Sequence, residues 1–522
     1  MSAGWWKSSG QRIMAAAASR PRRGIDSRAV RRHGQGLARA EREIIRLISM
    51  QASDIGSIAT SRSALLQSRG WLLLALLPAI WGLFARPLLP IDETRYIGVA
   101  WEMWLRGDFL VPHLNGQPYS HKPPLLFWLI NAGWALFGVN EWWPRLVGPL
   151  AGAVAAGLCA SLGRQIWPDR PEIARLAPWL LVGALGWVVY GHMLMFDTLL
   201  TASTLLALIG LWRAGQDPAR WRAWLLVSAG LGLGLLSKGP VVLLHVLLPA
   251  LLAPLWSAGA RARPLGWYLR LLLATAGGAA IILAWALPAA AAGGDAYAKA
   301  IFLTQTAGRV TNSFAHTRPW WVYLLFVPAL WLPWSLLPRL WRGFRVGRGD
   351  PGRAFLLCWL LGTVVALSAV SGKQPHYAIP ELPALALLAA SAVPAADWRR
   401  LATVATAACV GLLAVATVVF QFIGQNYNMR PPAELAVALR ARGLTLITLP
   451  GYKDQLTFAG RMTEPLPEIP KYRLGRWFDE HPDSVLVTMS DRPPPEIGLG
   501  RLARFPYRGK HIDFWSARNT QP

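Results

Sequence analysis

Long apolar stretches separated by short polar segments make up most of this chain. Runs that approach the roughly 20 residues of a membrane-crossing helix recur between about residues 71 and 422. About eleven spans are predicted, with eleven to thirteen as the range, near 71–89, 145–163, 176–195, 198–213, 222–237, 240–257, 270–291, 320–338, 354–371, 376–394 and 402–422. The pattern therefore predicts an all-α polytopic membrane protein, with a transmembrane domain over 69–424.

A large polar segment, 90–144, separates the first two spans and is the predicted first outer loop. It contains a short amphipathic stretch around 96–106 and an apolar stretch, 123–139, that begins with Pro123–Pro124. Because 123–139 starts with two prolines and is too short to cross comfortably, we expect a helix at the membrane edge.

The last hundred residues, 425–522, lose the membrane-like pattern. The sequence PPAELAVALRARG indicates an amphipathic helix that stops at Gly443, and LTLITLP and SVLVTMS are short β-branched runs typical of strands. We expect a small α/β domain on the outer face.

The first 68 residues are basic and hold no long apolar run. Without an apolar core they are not a secretory signal. Two interpretations stay open: a disordered cytoplasmic tail, or an artefact of start-site assignment with Met14 or Met50 as the initiator.

Composition agrees with a membrane protein, since 54% of the residues are hydrophobic, 15% are charged and the mean hydropathy is +0.33. The net charge of +26 follows from basic loops, which face the cytoplasm in membrane proteins, and does not indicate nucleic-acid binding. If the N-terminus is inside, every inside loop is basic: Arg164, Arg170 and Arg175; Arg213, Arg220 and Arg222; Arg261, Arg263 and Arg270; Arg339 to Arg353; and Arg399–Arg400. This arrangement predicts a cytoplasmic N-terminus and an outer C-terminal domain.

On this topology, three acids, several basic residues and a tyrosine gather at the outer ends of the spans. They are Asp92, Glu93, Arg95, His121, Lys122, Asp197, Lys238, Arg309, His316, Lys373, His376 and Tyr377. Each has a simpler explanation: Asp197 as a helix N-cap, Lys238 and Lys373 as snorkelling side chains, His316 as an ordinary loop histidine. Their collection on one side favours an outward-facing site.

The chemistry of this set suits group transfer from a phosphate. A carboxylate serves as general base on an acceptor hydroxyl or amine, and cations stabilise a departing phosphate. No nucleotide-binding glycine loop is present, so a lipid-linked phosphosugar is the expected donor. The three cysteines lie in apolar runs without metal-type spacing.

Several short motifs resemble the polyprenyl-phosphate-dependent glycosyltransferases of the C-type membrane fold (GT-C), which include bacterial lipid A aminoarabinose transferases and protein O-mannosyltransferases. DETRY at 92–96, KPPLLFWL at 122–129 and GVNEWWPRL at 138–146 stand in that family's order. FDTLL, SKGP, HTRPWWVYL and KQPHYAIPELPALALL follow, so the resemblance covers roughly 70–395.

The resemblance implies roles for individual residues. Asp92 corresponds to the catalytic base and Asp197 to a second acid near the site. The expected ligands of the donor phosphate are Arg95, Lys122, Tyr377, Lys238 and Lys373. Glu93 is expected to orient the site or, with Arg309 and His316, to contact the acceptor or the loops. His121 stands where the family often has a Glu, and this substitution puts in doubt any metal role of that position. No cofactor is expected to be required; a divalent metal at His121 is the one alternative left open.

The resulting hypothesis is an inverting glycosyltransferase of the bacterial inner membrane, which moves a sugar from a polyprenyl-phosphate donor to an envelope acceptor on the periplasmic face. The acceptor is a lipid A-like glycolipid or a protein. One alternative is a transporter or flippase of lipid-linked sugars, although no internal repeat is visible. Another alternative is a glycan-binding relative without activity. The presence of Asp92, Asp197 and Lys122 argues against it, because an inactive relative would be expected to have lost them.

Overall fold

The computed structural model describes residues 70–304, 317–345, 349–489 and 498–517. The predicted N-terminal tail, 1–68, and the predicted site residues Arg309 and His316 lie outside these residues. The helices of the membrane region are α1 Gly70–Ala85, α2 Asp92–Arg106, α3 Leu125–Phe137, α4 Trp142–Ile166, α5 Pro171–Val182, α6 Leu185–Tyr190, α7 Asp197–Gln216, α8 Trp221–Lys238, α9 Val241–Leu251, α10 Ala258–Ala262, α11 Pro264–Lys299, α12 Tyr323–Leu330, α13 Pro351–Ala369, α14 Leu382–Ser391 and α15 Trp398–Ile423.

Five helical segments of the described residues have the length and hydropathy of membrane spans. They are α4, α7, α13 and the segments that contain α11 and α15. Four shorter apolar helices, α1, α3, α9 and the segment that contains α12, accompany them. The prediction of a helical membrane protein is confirmed.

Some predicted spans are not single helices. The stretch 176–195 is divided into α5 and α6 because Ala184 adopts an extended backbone, with ψ of 139°. The stretch 376–394 begins as a 3₁₀ segment, Pro375–Glu381, before α14. Hydropathy reports where a segment lies and not whether its backbone hydrogen bonds are continuous, so a broken helix and a straight one give the same sequence pattern.

Helices α7 and α8 pack closely and antiparallel, and glycine makes this possible. A Cβ atom on Gly230 would stand 2.4 Å from the backbone nitrogen of Ala207, and one on Gly210 would stand 2.6 Å from the Ala223 carbonyl oxygen. Larger residues would force the two helices apart. The close packing brings the first residue of α7, Asp197, beside the last residue of α8, Lys238.

The C-terminal region forms the expected small α/β domain. Helix α16, Arg430–Ala441, and helix α17, Leu474–Glu480, accompany a sheet of four strands: β3 Thr445–Thr448, β4 Ser484–Thr488, β5 Gly500–Tyr507 and β6 Lys510–Ser516. The strand order is β3-β4-β6-β5, with β3 and β4 parallel and the other pairs antiparallel. The predicted strands match β3 and β4. Strands β5 and β6 were not predicted, because their residues do not alternate regularly between polar and apolar.

The predicted first outer loop is an ordered structure that docks on the C-terminal domain. Its helix α2 is followed by a hairpin, β1 His113–Leu114 and β2 Gln117–Pro118, turned at Asn115–Gly116. The Asn115 amide donates to the Leu466 carbonyl (2.9 Å) and its oxygen accepts from Leu466 N (2.8 Å). Trp101 in α2 donates to the Met462 carbonyl (2.8 Å). These hydrogen bonds between side chains of the loop and the backbone of the domain join the two at defined positions.

Candidate active site

Asp92, the predicted base, is the first residue of α2 and its side chain is 51% exposed. Its Oδ1 accepts hydrogen bonds from the Arg95 guanidinium and from the Tyr96 hydroxyl (3.2 Å). Burial, together with the nearby Asp92 charge, raises the pKa of Tyr96, so its hydroxyl remains a donor. A helix N-terminus also favours a carboxylate. Asp92 is therefore open to solvent on one side and held in place on the other.

Glu93, the next residue, is in the opposite situation. Its side chain is 2% exposed and pairs with Arg86 through both oxygens. It also accepts from the backbone N–H groups of Leu89 (2.7 Å) and Leu194 (2.8 Å). Burial alone would raise the pKa of Glu93, but the Arg86 charge and the hydrogen bonds outweigh it and hold this pKa below its usual range.

The position of Glu93 corrects one of its two expected roles. A buried carboxylate with every oxygen engaged does not contact an acceptor. It instead ties α2 to the segment before Asp197, through Leu194 N, which fits the expected orienting role.

Asp197 and Lys238 form a buried ion pair across α7 and α8. Their side chains are 1% and 7% exposed. Among the described residues, the second Asp197 oxygen, Oδ2, has no hydrogen-bond partner. The Lys238 ammonium lies 4.8 Å from the centre of the Tyr377 ring, and the Lys122 ammonium lies 5.6 Å from that of Phe196, the neighbour of Asp197. Lys122, Asp197, Lys238 and Tyr377 therefore belong to one cluster.

The 3₁₀ segment Pro375–Glu381 supplies Tyr377 and His376 to this cluster. The His376 ring contacts the Tyr377 ring at 4.7 Å and the Tyr190 ring at 5.7 Å between centroids. The charges of Asp197, Lys238, Lys122 and Asp92 all act on the His376 imidazole. His376 thus joins the two acids electrostatically. The motif KQPHYAIP contains His376, but no role for this residue was predicted from the sequence.

Lys373 departs from its predicted role as a phosphate ligand. Its side chain is buried, and its ammonium donates to the backbone carbonyls of Val370 and Arg318, the latter at 3.2 Å. It therefore caps the end of α13 and holds residue 318 in place. Within the described residues, Lys373 faces backbone oxygens and not the cluster.

A groove beside Arg95 was not predicted. Its volume is about 220 Å³, and it lies between the β1–β2 hairpin and residues 451–453 of the C-terminal domain. Tyr119 and His121 line it, with ring centroids 5.3 Å apart and an interplanar angle of 27°. The Tyr119 phenol acts electrostatically on Arg95. The turn sequence Asn115–Gly116, a strong hairpin signal, was the available clue that this part of the loop is ordered.

The residues around His121 do not make a recognisable metal site. In the parts of the chain that the structure describes, no three His, Cys, Asp or Glu side chains converge to hold an ion. His121 stacks on Tyr119 instead. The donor set at this position therefore does not fit the suggested divalent metal.

Several known proteins resemble this chain in sequence. A family model described as dolichyl-phosphate-mannose-protein mannosyltransferase matches residues 121–291. An undecaprenyl phosphate-alpha-4-amino-4-deoxy-L-arabinose arabinosyl transferase from Pseudomonas paraeruginosa is 36% identical over 306 residues, which are 57% of this chain and 54% of that protein. A second such transferase, from Pseudomonas fluorescens, is 32% identical over 62% of this chain and 60% of its own length. The chain thus spans little more than half the length of these curated relatives.

The fold comparison extends further along the chain. The crystal structure of ArnT from Cupriavidus metallidurans bound to undecaprenyl phosphate matches 88% of this chain and 99% of its own, with a TM-score of 0.68 and 20% identity. The apo structure of the same protein matches equally well, with a TM-score of 0.68. The chain therefore has the GT-C fold of ArnT, and over part of its length it resembles in sequence the undecaprenyl-phosphate aminoarabinose transferases.

Proposed function

We propose that this chain is an inverting glycosyltransferase that moves a sugar from a polyprenyl-phosphate donor to an envelope acceptor. The observation that carries the proposal is the position of Asp92. Its carboxylate is half exposed and held by Arg95 and Tyr96. Its charge acts on His376, as do those of the buried Asp197–Lys238 pair and of Lys122. A reachable base stands next to cations that a leaving phosphate needs.

The proposed reaction follows from this arrangement. Asp92 accepts the proton of the acceptor hydroxyl, and the acceptor oxygen attacks the anomeric carbon of the sugar. The bond between that carbon and the phosphate oxygen breaks, and the polyprenyl phosphate leaves with the electron pair. Lys122, Arg95 and Tyr377 bind the departing phosphate, while Lys238 pairs with Asp197. Attack opposite the leaving group inverts the anomeric centre.

The proposed donor is a polyprenyl phosphate that carries an amino sugar, because the relatives named above use undecaprenyl phosphate-linked 4-amino-4-deoxy-L-arabinose. The proposed acceptor is a glycolipid of the lipid A type, with a protein side chain as the second option.

We also propose a topology of about eleven crossings in the inner membrane, with the site and the C-terminal domain on the periplasmic face. Asp92, Asp197, Lys238 and Tyr377 lie at one end of the helices. Arginines lie at the other end, where α4 and α7 finish and α5, α8 and α11 start. This distribution follows the positive-inside rule.

The test is the release of free polyprenyl phosphate by the purified protein in detergent, supplied with polyprenyl-phosphate sugars and an envelope extract. Asp92→Asn is expected to lower the rate by about 10²–10⁴-fold, the range for a general base. Asp108→Asn is the matched control in the same outer segment, because an amide oxygen can accept the hydrogen bonds that Asp108 receives from Leu110 N and Val111 N. Release that is equal in wild type and Asp92→Asn contradicts the proposal and favours transport or binding.

A further inference from the structure

A second buried pair lies close to the cluster and takes no part in the proposed reaction. His245 in α9 and Glu381 at the end of the 375–381 segment place Nδ1 and Oε1 2.6 Å apart, and both side chains are 0% exposed. Among the described residues, His245 Nε2 and Glu381 Oε2 have no hydrogen-bond partner. A buried pair with unmet polar atoms stabilises a fold little compared with apolar side chains. We therefore expect the pair to position the two segments that it joins and to contribute little to the stability of the fold.

The pair joins the two segments that carry site residues. Only Gly239 and Pro240 separate Lys238 from α9, which holds His245 in its second turn. Glu381 follows Tyr377 by four residues within one short helical segment. The Lys238 ammonium faces the Tyr377 ring. The same two segments are thus connected twice, once at the site and once by His245 and Glu381.

Neighbouring hydrogen bonds hold the surroundings of the pair but not this connection. Thr363 in α13 donates to the Leu244 carbonyl (3.3 Å), next to His245. The Tyr323 hydroxyl donates to the Gln374 carbonyl (3.2 Å), where the 375–381 segment begins. These contacts fix α9 against α13 and the start of the segment against α12. The contact between the end of the segment and α9 is made by Glu381.

We infer that His245 and Glu381 are positioning residues, which set Tyr377 and His376 against Lys238 and so fix the donor-phosphate side of the site. The inference rests on the proposed function. Without this connection the 375–381 segment can shift relative to α9, and a displacement of about 1 Å at a reacting group lowers rates by about 10²-fold. The pair acts through Tyr377 and His376 and does not touch the substrate.

Two variants distinguish a loss of the connection between the segments from a loss of charge and from a loss of folding. The double variant His245→Leu/Glu381→Leu removes both polar groups at similar volume, so the protein should fold, because a buried pair can be replaced by apolar residues without loss of stability. Glu381→Gln keeps an oxygen that accepts from His245 at the same distance. Ser228→Ala is the control: it removes a hydrogen bond of 2.9 Å to the Ala274 carbonyl, between α8 and α11.

The experiment measures three quantities for each variant in detergent: the unfolding temperature, the affinity for undecaprenyl phosphate, and kcat for release of the carrier. We expect the double Leu variant to unfold near the wild-type temperature, yet to bind the carrier about tenfold more weakly and to lose about 10–100-fold in kcat. Glu381→Gln should stay within about threefold of wild type, and Ser228→Ala within about twofold.

If the double Leu variant does not fold, His245→Ala and His245→Asn make the same comparison. Asn keeps a donor near the Nδ1 position, whereas Ala cannot reach Glu381, so Ala must be the worse binder. A folded double variant with wild-type affinity and kcat overturns the inference, as does a loss in Glu381→Gln equal to that of the double variant. A wild-type protein that neither binds nor releases undecaprenyl phosphate overturns the proposed function, and the inference with it.

Discussion

Asp92 and Glu93 are adjacent acids with opposite surroundings, so neutralising each one should have opposite consequences. Glu93 receives the Arg86 guanidinium and two backbone N–H groups in a site that is 2% exposed. Asp92 faces solvent with half of its surface. We predict that Glu93→Gln destabilises the fold while Asp92→Asn leaves it intact and removes activity.

The magnitude follows from the burial of the partners. Glu93→Gln leaves the Arg86 guanidinium, 1% exposed, without its counter-charge, and Arg145 lies close enough to act on both groups. Removing one partner of a buried pair costs about 3–5 kcal/mol. In the Asp92–Arg95 pair, the Asp92 side chain is half exposed. Such exposed pairs contribute about 0–1 kcal/mol to the free energy of unfolding. The two variants should therefore differ by at least about 2 kcal/mol in unfolding free energy.

The assay is equilibrium unfolding in mixed micelles with increasing sodium dodecyl sulfate, followed by tryptophan fluorescence, together with carrier release. As a check on the cause, Arg86→Met/Glu93→Leu removes both charges and should recover most of the loss, because a buried pair can be replaced by apolar residues without loss of stability. The unrecovered part is that of the two hydrogen bonds that Leu89 N and Leu194 N donate to Glu93. The reasoning is refuted if Glu93→Gln costs less than about 1 kcal/mol, or if Asp92→Asn costs as much as Glu93→Gln.

Three further predictions concern single residues. Burial and the Glu102 carboxylate raise the pKa of Asp454 to about 8, far above the value of about 4 in the unfolded chain. The folded protein therefore binds this proton more tightly than the unfolded chain does. The resulting stabilisation is fully present below about pH 4 and is lost as the pH rises through about 8. The unfolding temperature of wild type should fall between pH 6.5 and 9 more than that of Asp454→Asn, and equal slopes would contradict this. Lys122→Ala should weaken undecaprenyl phosphate binding about tenfold, as loss of a charge-assisted contact does, and unchanged calorimetric affinity would remove Lys122 from the site. Lys373→Met should lower the unfolding temperature while carrier affinity stays within about twofold of wild type, because its ammonium faces backbone carbonyls; a larger loss of affinity would restore its predicted role.

The sequence could predict which residues meet at the site because the topology brings them to one end of the helices. Asp197 and Lys238 lie at the facing ends of two antiparallel helices, which hydropathy and charge locate well. The sequence could not predict how exposed each side chain is or which groups surround it. Nothing in DETRY distinguishes the exposed Asp92 from the buried Glu93, since the difference depends on Arg86 and Leu194, and Leu194 stands a hundred residues away.

Lys373 is a second residue whose partners the sequence could not predict. A lysine at the end of an apolar helix fits a phosphate ligand, a snorkelling side chain and a C-terminal cap equally well. The structure distinguishes them because the acceptors are the carbonyls of Val370 and Arg318, and the second of these belongs to a distant segment. Likewise, the strands β5 and β6 show only weak alternation of polar and apolar residues. They are stabilised because β6 pairs with β4 and β5 pairs with β6, a tertiary effect that the local sequence pattern does not contain.

The C-terminal domain contributes to the architecture of the site and is not an appendage to it. Helix α2 begins at the proposed base, Asp92, and contacts the domain further along through Trp101, which donates to the Met462 carbonyl. Gly98 lies so close to Asp454 that a Cβ would stand 2.8 Å from the Asp454 Cβ. The hairpin that follows α2 is fastened to Leu466 through Asn115, and the groove beside Arg95 has one wall from each partner. Because the helix that presents Asp92 contacts the domain at Gly98 and Trp101, a change that loosens this docking should shift the base as well as the groove.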